Sequence, residues 1–125
     1  PGKNIFGDCS VLYAFRWETL LKIFPDSKLI VVHRDVKKCI DTIYNGNDSF
    51  VKYLKGGHLE LERYLHLVDE YLKKVPKDIS YHLDIKEFKQ TDPKITMPKL
   101  WEYLDIDSPI NFDFVKEQNN LYPED

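Results

Sequence analysis

The chain of 125 residues is short of several things, and each shortage removes a class of protein. It has two cysteines, Cys9 and Cys39. Two are too few for a disulfide framework and do not stand at metal-ligand spacing, so they read as reduced thiols of a cytoplasmic protein. No apolar run approaches the roughly 20 residues of a membrane span. No secretory leader pattern occurs in residues 1–125, although the chain opens on Pro1 and a targeting segment ahead of it stays open. Charge of one sign is not in excess: 18 basic residues mix with 21 acidic ones for a net charge of −3. That balance supplies neither the basic field of a nucleic-acid binder nor the basic amphipathic helix of a membrane-surface protein. Internal repeats and low-complexity stretches are absent. So is a glycine-rich phosphate loop of the G-x-x-x-x-G-K-[ST] kind, since Gly2-Lys3 precedes no helix and Gly56-Gly57 follows no strand.

What is present is enough for a packed core: 42% of the residues are apolar and 14% aromatic. From Ser10, a candidate N-cap, the residues Leu12, Phe15, Leu20, Leu21 and Phe24 recur at helical spacing, and Pro25-Asp26-Ser27 closes that helix. Lys28 to His33 follows, with four consecutive apolar residues, mostly β-branched. It predicts a strand buried on both faces. Asp35 can cap a helix whose stripe is Val36, Ile40, Ile43 and Tyr44. A loop is expected over Asn45–Gly57, then a long helix from about His58 to Lys74 with Leu61, Tyr64, Leu65, Val68, Tyr71 and Leu72 on one face. Ile79–Leu83 predicts a second, short strand, and Asp92-Pro93 a helix start with Met97, Leu100, Trp101 and Leu104 inward. The tail from Asp105 reads as loop with one short helix near Phe112–Gln118. The expected class is α/β, a short parallel sheet flanked by helices. A two-stranded sheet is marginal alone, so partner strands are expected from further sequence or from a second copy of the chain.

The feature that bears on chemistry is the end of the first strand, Val32-His33-Arg34-Asp35, running into a helix. Ligands of open α/β sheets sit at the carboxyl ends of strands, helix N-termini attract anions, and arginine offers a bidentate fork to phosphate. Arg34 is a phosphate-clamp candidate. The alternative is an ordinary surface ion pair of Arg34, with Asp35 or a nearby loop.

Three stretches then resemble the sulfotransferase family. Phe24 to Asp35 is similar to that family's "FPdaKiIfvlRDP", with Val36 where its proline stands. Phe6-Gly7-Asp8-Cys9-Ser10 lies where many members carry a segment such as "FEKS". Ile79–Leu83, Glu87-Phe88, Asp92-Pro93 and Leu100–Leu104 resemble "vlryEdL…dPe…l..lceFLgi", although the tyrosine and acid of "yEdL" have no clean counterpart in Ile85-Lys86-Glu87-Phe88.

The resemblance implies a P-loop-like α/β fold and transfer of a sulfuryl group from 3′-phosphoadenosine-5′-phosphosulfate (PAPS) to a hydroxyl or amine acceptor, a small molecule or a carbohydrate, with no metal. It assigns the 3′-phosphate of the donor to Arg34 and to Thr42, eight residues on, where a threonine hydroxyl replaces the family's serine. It assigns the catalytic base to Asp8, which the residues alone read equally well as a turn or capping position; Cys9 stands where the family's sulfonate-binding lysine would be. His33 is the other base candidate, against a plainer reading as a packed, hydrogen-bonded strand end. The absent phosphate loop implies a single sulfotransferase-like domain over residues 1–125 that lacks the N-terminal strand and 5′-phosphosulfate loop, hence a weak or inactive piece. A non-catalytic remnant that binds a nucleotide or a partner protein is the alternative. A kinase-like enzyme of the wider P-loop group ranks below both, because it too needs that loop.

Overall fold

The structure is a computed structural model, which describes residues 6–45 and 57–121. Ser10 caps a 3-10 helix, Val11–Phe15, by accepting the Leu12 N–H at 3.3 Å. Helix α1 follows at Trp17–Ile23 and ends before Pro25. Strand β1 is Leu29–His33, and helix α2 is Val36–Asn45. Asp35 begins α2 as the sequence predicts, its carboxylate accepting the Lys38 N–H at 3.0 Å. Of the loop predicted over Asn45–Gly57, residues 46–56 lie outside the described residues, and Asn45 and Gly57 belong to the flanking helices. Helix α3 is Gly57–Lys73, and strand β2 is Ser80–Asp84, one residue later than the spacing predicts.

Helix α4, Ile85–Gln90, is unanticipated from the sequence. Asp84 nucleates it by accepting the Glu87 N–H at 2.9 Å. Helix α5, Pro93–Tyr103, starts as expected, with Asp92 accepting the Lys94 N–H at 2.9 Å and Pro93 opening the first turn. It stops in a Schellman arrangement: Ile106 N–H bonds the Trp101 carbonyl and Asp105 N–H bonds the Glu102 carbonyl. Asp105 holds the left-handed position there, at φ 54°. Helix α6, Phe112–Leu121, completes the order.

β1 and β2 pair in parallel, with Val31 opposite His82 and His33 opposite Asp84. Paired residues of a ladder share a face. Leu29, Val31 and His33 therefore lie with Ser80, His82 and Asp84, on the side where α3 packs against β1. Ile30 and Val32 share the other side with Tyr81 and Leu83. There α5 covers the start of the strands: the Tyr103 hydroxyl donates to the Leu29 carbonyl at 3.0 Å, and the Tyr81 and Tyr103 rings lie 5.3 Å apart.

The expectation of a strand buried on both faces is corrected here. Val31 is 5% exposed, but Ile30 is 40% and Val32 48% exposed, because α5 reaches only the strand's beginning. The core sits on the α3 side, where Leu61 and Val68 of α3 meet Ala14, Val31 and Ile40 in the buried set. Leu61 is 1% exposed. The predicted α3 stripe is otherwise half-buried, and Tyr71 at its end is exposed. The one buried polar residue among those described, Ser80, donates its hydroxyl to the Pro76 carbonyl at 2.6 Å. Among the described residues no helix is long and apolar enough to cross a membrane.

Candidate functional site

The carboxyl end of β1 delivers Arg34 to a place just before α2, and the helix brings Thr42 up the same side two turns later. The Arg34 guanidinium Nη2 donates to Thr42 Oγ1 at 3.3 Å. The Thr42 hydroxyl in turn donates to the Lys38 carbonyl at 2.8 Å, a back-bond to the preceding helical turn. The two residues assigned to a phosphate thus converge, an arginine fork from before α2 meeting a hydroxyl two turns along it. Thr42 is exposed and Arg34 partly so, which leaves both reachable from solvent.

A cleft of about 90 Å³ opens beside Arg34, between the end of β1, α2 and α3. His33, Arg34, Cys39 and Asp69 supply its polar groups, and Val68 and Leu72 part of its apolar wall. It is smaller than the roughly 300–1,000 Å³ that encloses a drug-sized ligand, and suits one compact group better than a whole nucleotide. The Asp69 carboxylate is neutralised by Lys73 one turn on, at 2.7 Å.

Asp8 is engaged near the N-terminus. One carboxylate oxygen accepts the Cys9 N–H at 2.9 Å, and the other accepts the hydroxyl of Tyr13. That hydrogen bond, reinforced by the negative charge, holds the Tyr13 hydroxyl above its ordinary pKa of 10.0. Asp8 therefore ties the approach segment to the 3-10 helix.

His33 has a partner the sequence did not point to. Its Nε2 lies 2.7 Å from Nδ1 of His82, and the two rings lie edge to edge, 18° from coplanar, with centroids 5.0 Å apart. The only signal for this was one histidine on each strand, and pairing them requires the register. Burial pushes His33 below its ordinary value of 6.5, His82 and Lys73 adding to that and Asp69 and Asp84 opposing it. Among the described residues no group of three or more His, Cys, Asp or Glu side chains is arranged to hold a metal ion.

The fold and site together define a helix-rich α/β chain with a two-stranded parallel sheet and a small cleft at a strand end, walled by apolar residues with Arg34, His33 and Asp69 among them. Comparison with family models, curated proteins and solved structures finds no match to this chain.

Proposed function

We propose that this chain is sulfotransferase-like and that Arg34 and Thr42 bind the 3′-phosphate of PAPS, the donor of a sulfuryl group to a hydroxyl or amine acceptor. The observation that carries the reading is the 3.3 Å contact between Arg34, just before α2, and Thr42, two turns along it. On this reading both residues turn their donors from each other to the phosphate. The Thr42 proton leaves the Lys38 carbonyl, which keeps its partner within the helix. The anion then gains a charged fork and a hydroxyl. Asp8 is the carboxylate that would take the acceptor's proton, and its contacts to Cys9 and Tyr13 fix its orientation.

A second reading, a nucleotide-binding remnant without transfer activity, is favoured by Cys9 in place of a sulfonate-binding lysine. Both readings need the 3′-phosphate grip. Calorimetric titration with adenosine 3′,5′-bisphosphate tests it: binding that Arg34→Ala abolishes supports the grip, and absence of binding to the unaltered protein removes both. Transfer of label from PAPS to a panel of sugars and phenols separates the two, since the remnant transfers none.

A further inference from the structure

The two histidines form a hydrogen-bonded chain with a direction. His82 Nε2 lies 2.9 Å from the Val75 carbonyl oxygen. A carbonyl only accepts, so His82 Nε2 carries the hydrogen. A neutral imidazole has one N–H, so His82 Nδ1 is an acceptor, and His33 Nε2, 2.7 Å away, must donate to it. His33 Nδ1 is then the unprotonated end of the chain. Its residue lines the same cleft as Arg34.

We propose that His33 is the second cationic ligand of the Arg34 anion site: a phosphate or sulfate group in the cleft is held jointly by the Arg34 guanidinium and by a proton taken up from solvent at His33 Nδ1. The proposal rests on the reading of Arg34 as an anion ligand and adds the coupling to a proton.

The geometry decides where the proton goes. Protonation at His33 Nδ1 leaves the bonds to His82 and Val75 intact. Direct uptake at His82 Nδ1, with His33 Nε2 still carrying its hydrogen, would set two N–H groups against each other across the 2.7 Å contact, and a second proton would set two cations in adjacent rings against each other. The groups facing His33 are Asp69 and Lys73 of α3, His82 and Asp84 of β2, and the adjoining Arg34 and Cys39 of the cleft wall. Burial, His82 and Lys73 keep His33 neutral, while Asp69 and Asp84 favour the proton. A bound dianion adds the negative charge that reverses this balance. Linkage then requires affinity to rise as pH falls, by at most about tenfold per pH unit for one proton.

Sulfate is the informative probe, because it is a dianion throughout the range and contributes no titration of its own. Sulfate and adenosine 3′,5′-bisphosphate are titrated into the protein calorimetrically at pH 7.5, 6.5 and 5.5 at constant ionic strength, in two buffers of different ionisation enthalpy. The expected result is sulfate binding that tightens at least fivefold from pH 7.5 to 5.5 with net proton uptake, and a flat profile in His33→Gln. Long-range ¹⁵N–¹H correlation spectra of the unaltered protein at pH 7.5 should show the hydrogen of His33 on Nε2. A pH-independent sulfate affinity, a slope that survives His33→Gln, or a hydrogen on His33 Nδ1 overturns the proton coupling and leaves the Arg34 grip standing. Absence of binding by both ligands at every pH overturns the grip and the coupling together.

Discussion

Replacing Thr42 by valine separates the hydroxyl's part in folding from its part in binding. The side chains are nearly isosteric, and threonine and valine have similar helix propensities. In the ligand-free protein the substitution removes an acceptor for Arg34 at 3.3 Å and a donor to the Lys38 carbonyl at 2.8 Å. Neither loss strands a buried group: Thr42 is exposed, Arg34 is reached by water, and the Lys38 carbonyl keeps its helical N–H. The folding cost should be at most about 1 kcal/mol, or about 3–5 °C in Tm for a chain of this size. Binding is different, because there the hydroxyl donates to a charged phosphate, a hydrogen bond worth roughly 1.5–3 kcal/mol. Affinity for adenosine 3′,5′-bisphosphate should fall roughly tenfold to a hundredfold. Thermal denaturation and calorimetric titration of the same preparations read both numbers. An unchanged affinity in a normally folded Thr42→Val protein would refute the assignment, and a Tm loss above about 10 °C would refute the folding argument.

Leu61→Ala empties the best-buried position of α3 and should cost about 2–5 kcal/mol, read from urea denaturation; a cost below about 1 kcal/mol would mean that the core does not centre on that helix. Because burial lowers His33 below its ordinary 6.5, its neutral form contributes stability that is complete above pH 6.5 and is lost as pH falls through the folded-state value. The urea midpoint should therefore drop more between pH 7.5 and 5.5 in the unaltered, ligand-free protein than in His33→Gln. Asp8→Asn weakens the hydrogen bond and removes the charge that together hold Tyr13 up, so the Tyr13 ring-carbon titration followed by NMR should move back toward 10.0; no movement would mean that the Asp8–Tyr13 contact does not persist in solution.

Much of the local structure was legible from residue chemistry. Asp35 and Asp92 cap the helices they were expected to cap, because a capping carboxylate needs only its next few residues; Ser10 caps a 3-10 helix that breaks at Arg16 instead of one helix running to Phe24. Asp84 followed by Glu87 carries the same signal for α4, hidden because Asp84 also ends β2. The exposure of Ile30 and Val32 was not legible, since an apolar run is identical whether helices cover both faces of its strand or only part of one. At the site, the pairing of Arg34 with Thr42 came from the family resemblance, and the fold brings the two side chains into contact. The pairing of His33 with His82 does not: 49 residues separate them, and only the parallel register of β1 and β2 makes them neighbours.

The central claim is that Arg34 and Thr42 recognise a 3′-phosphate, and ligand discrimination tests it most directly. Calorimetric titration of the unaltered protein with adenosine 3′,5′-bisphosphate and, in parallel, with adenosine 5′-phosphate isolates that one group. The grip predicts binding of the bisphosphate at least tenfold tighter, with the difference erased in Arg34→Ala. Equal affinity for the two nucleotides, or a difference that persists in Arg34→Ala, would contradict it.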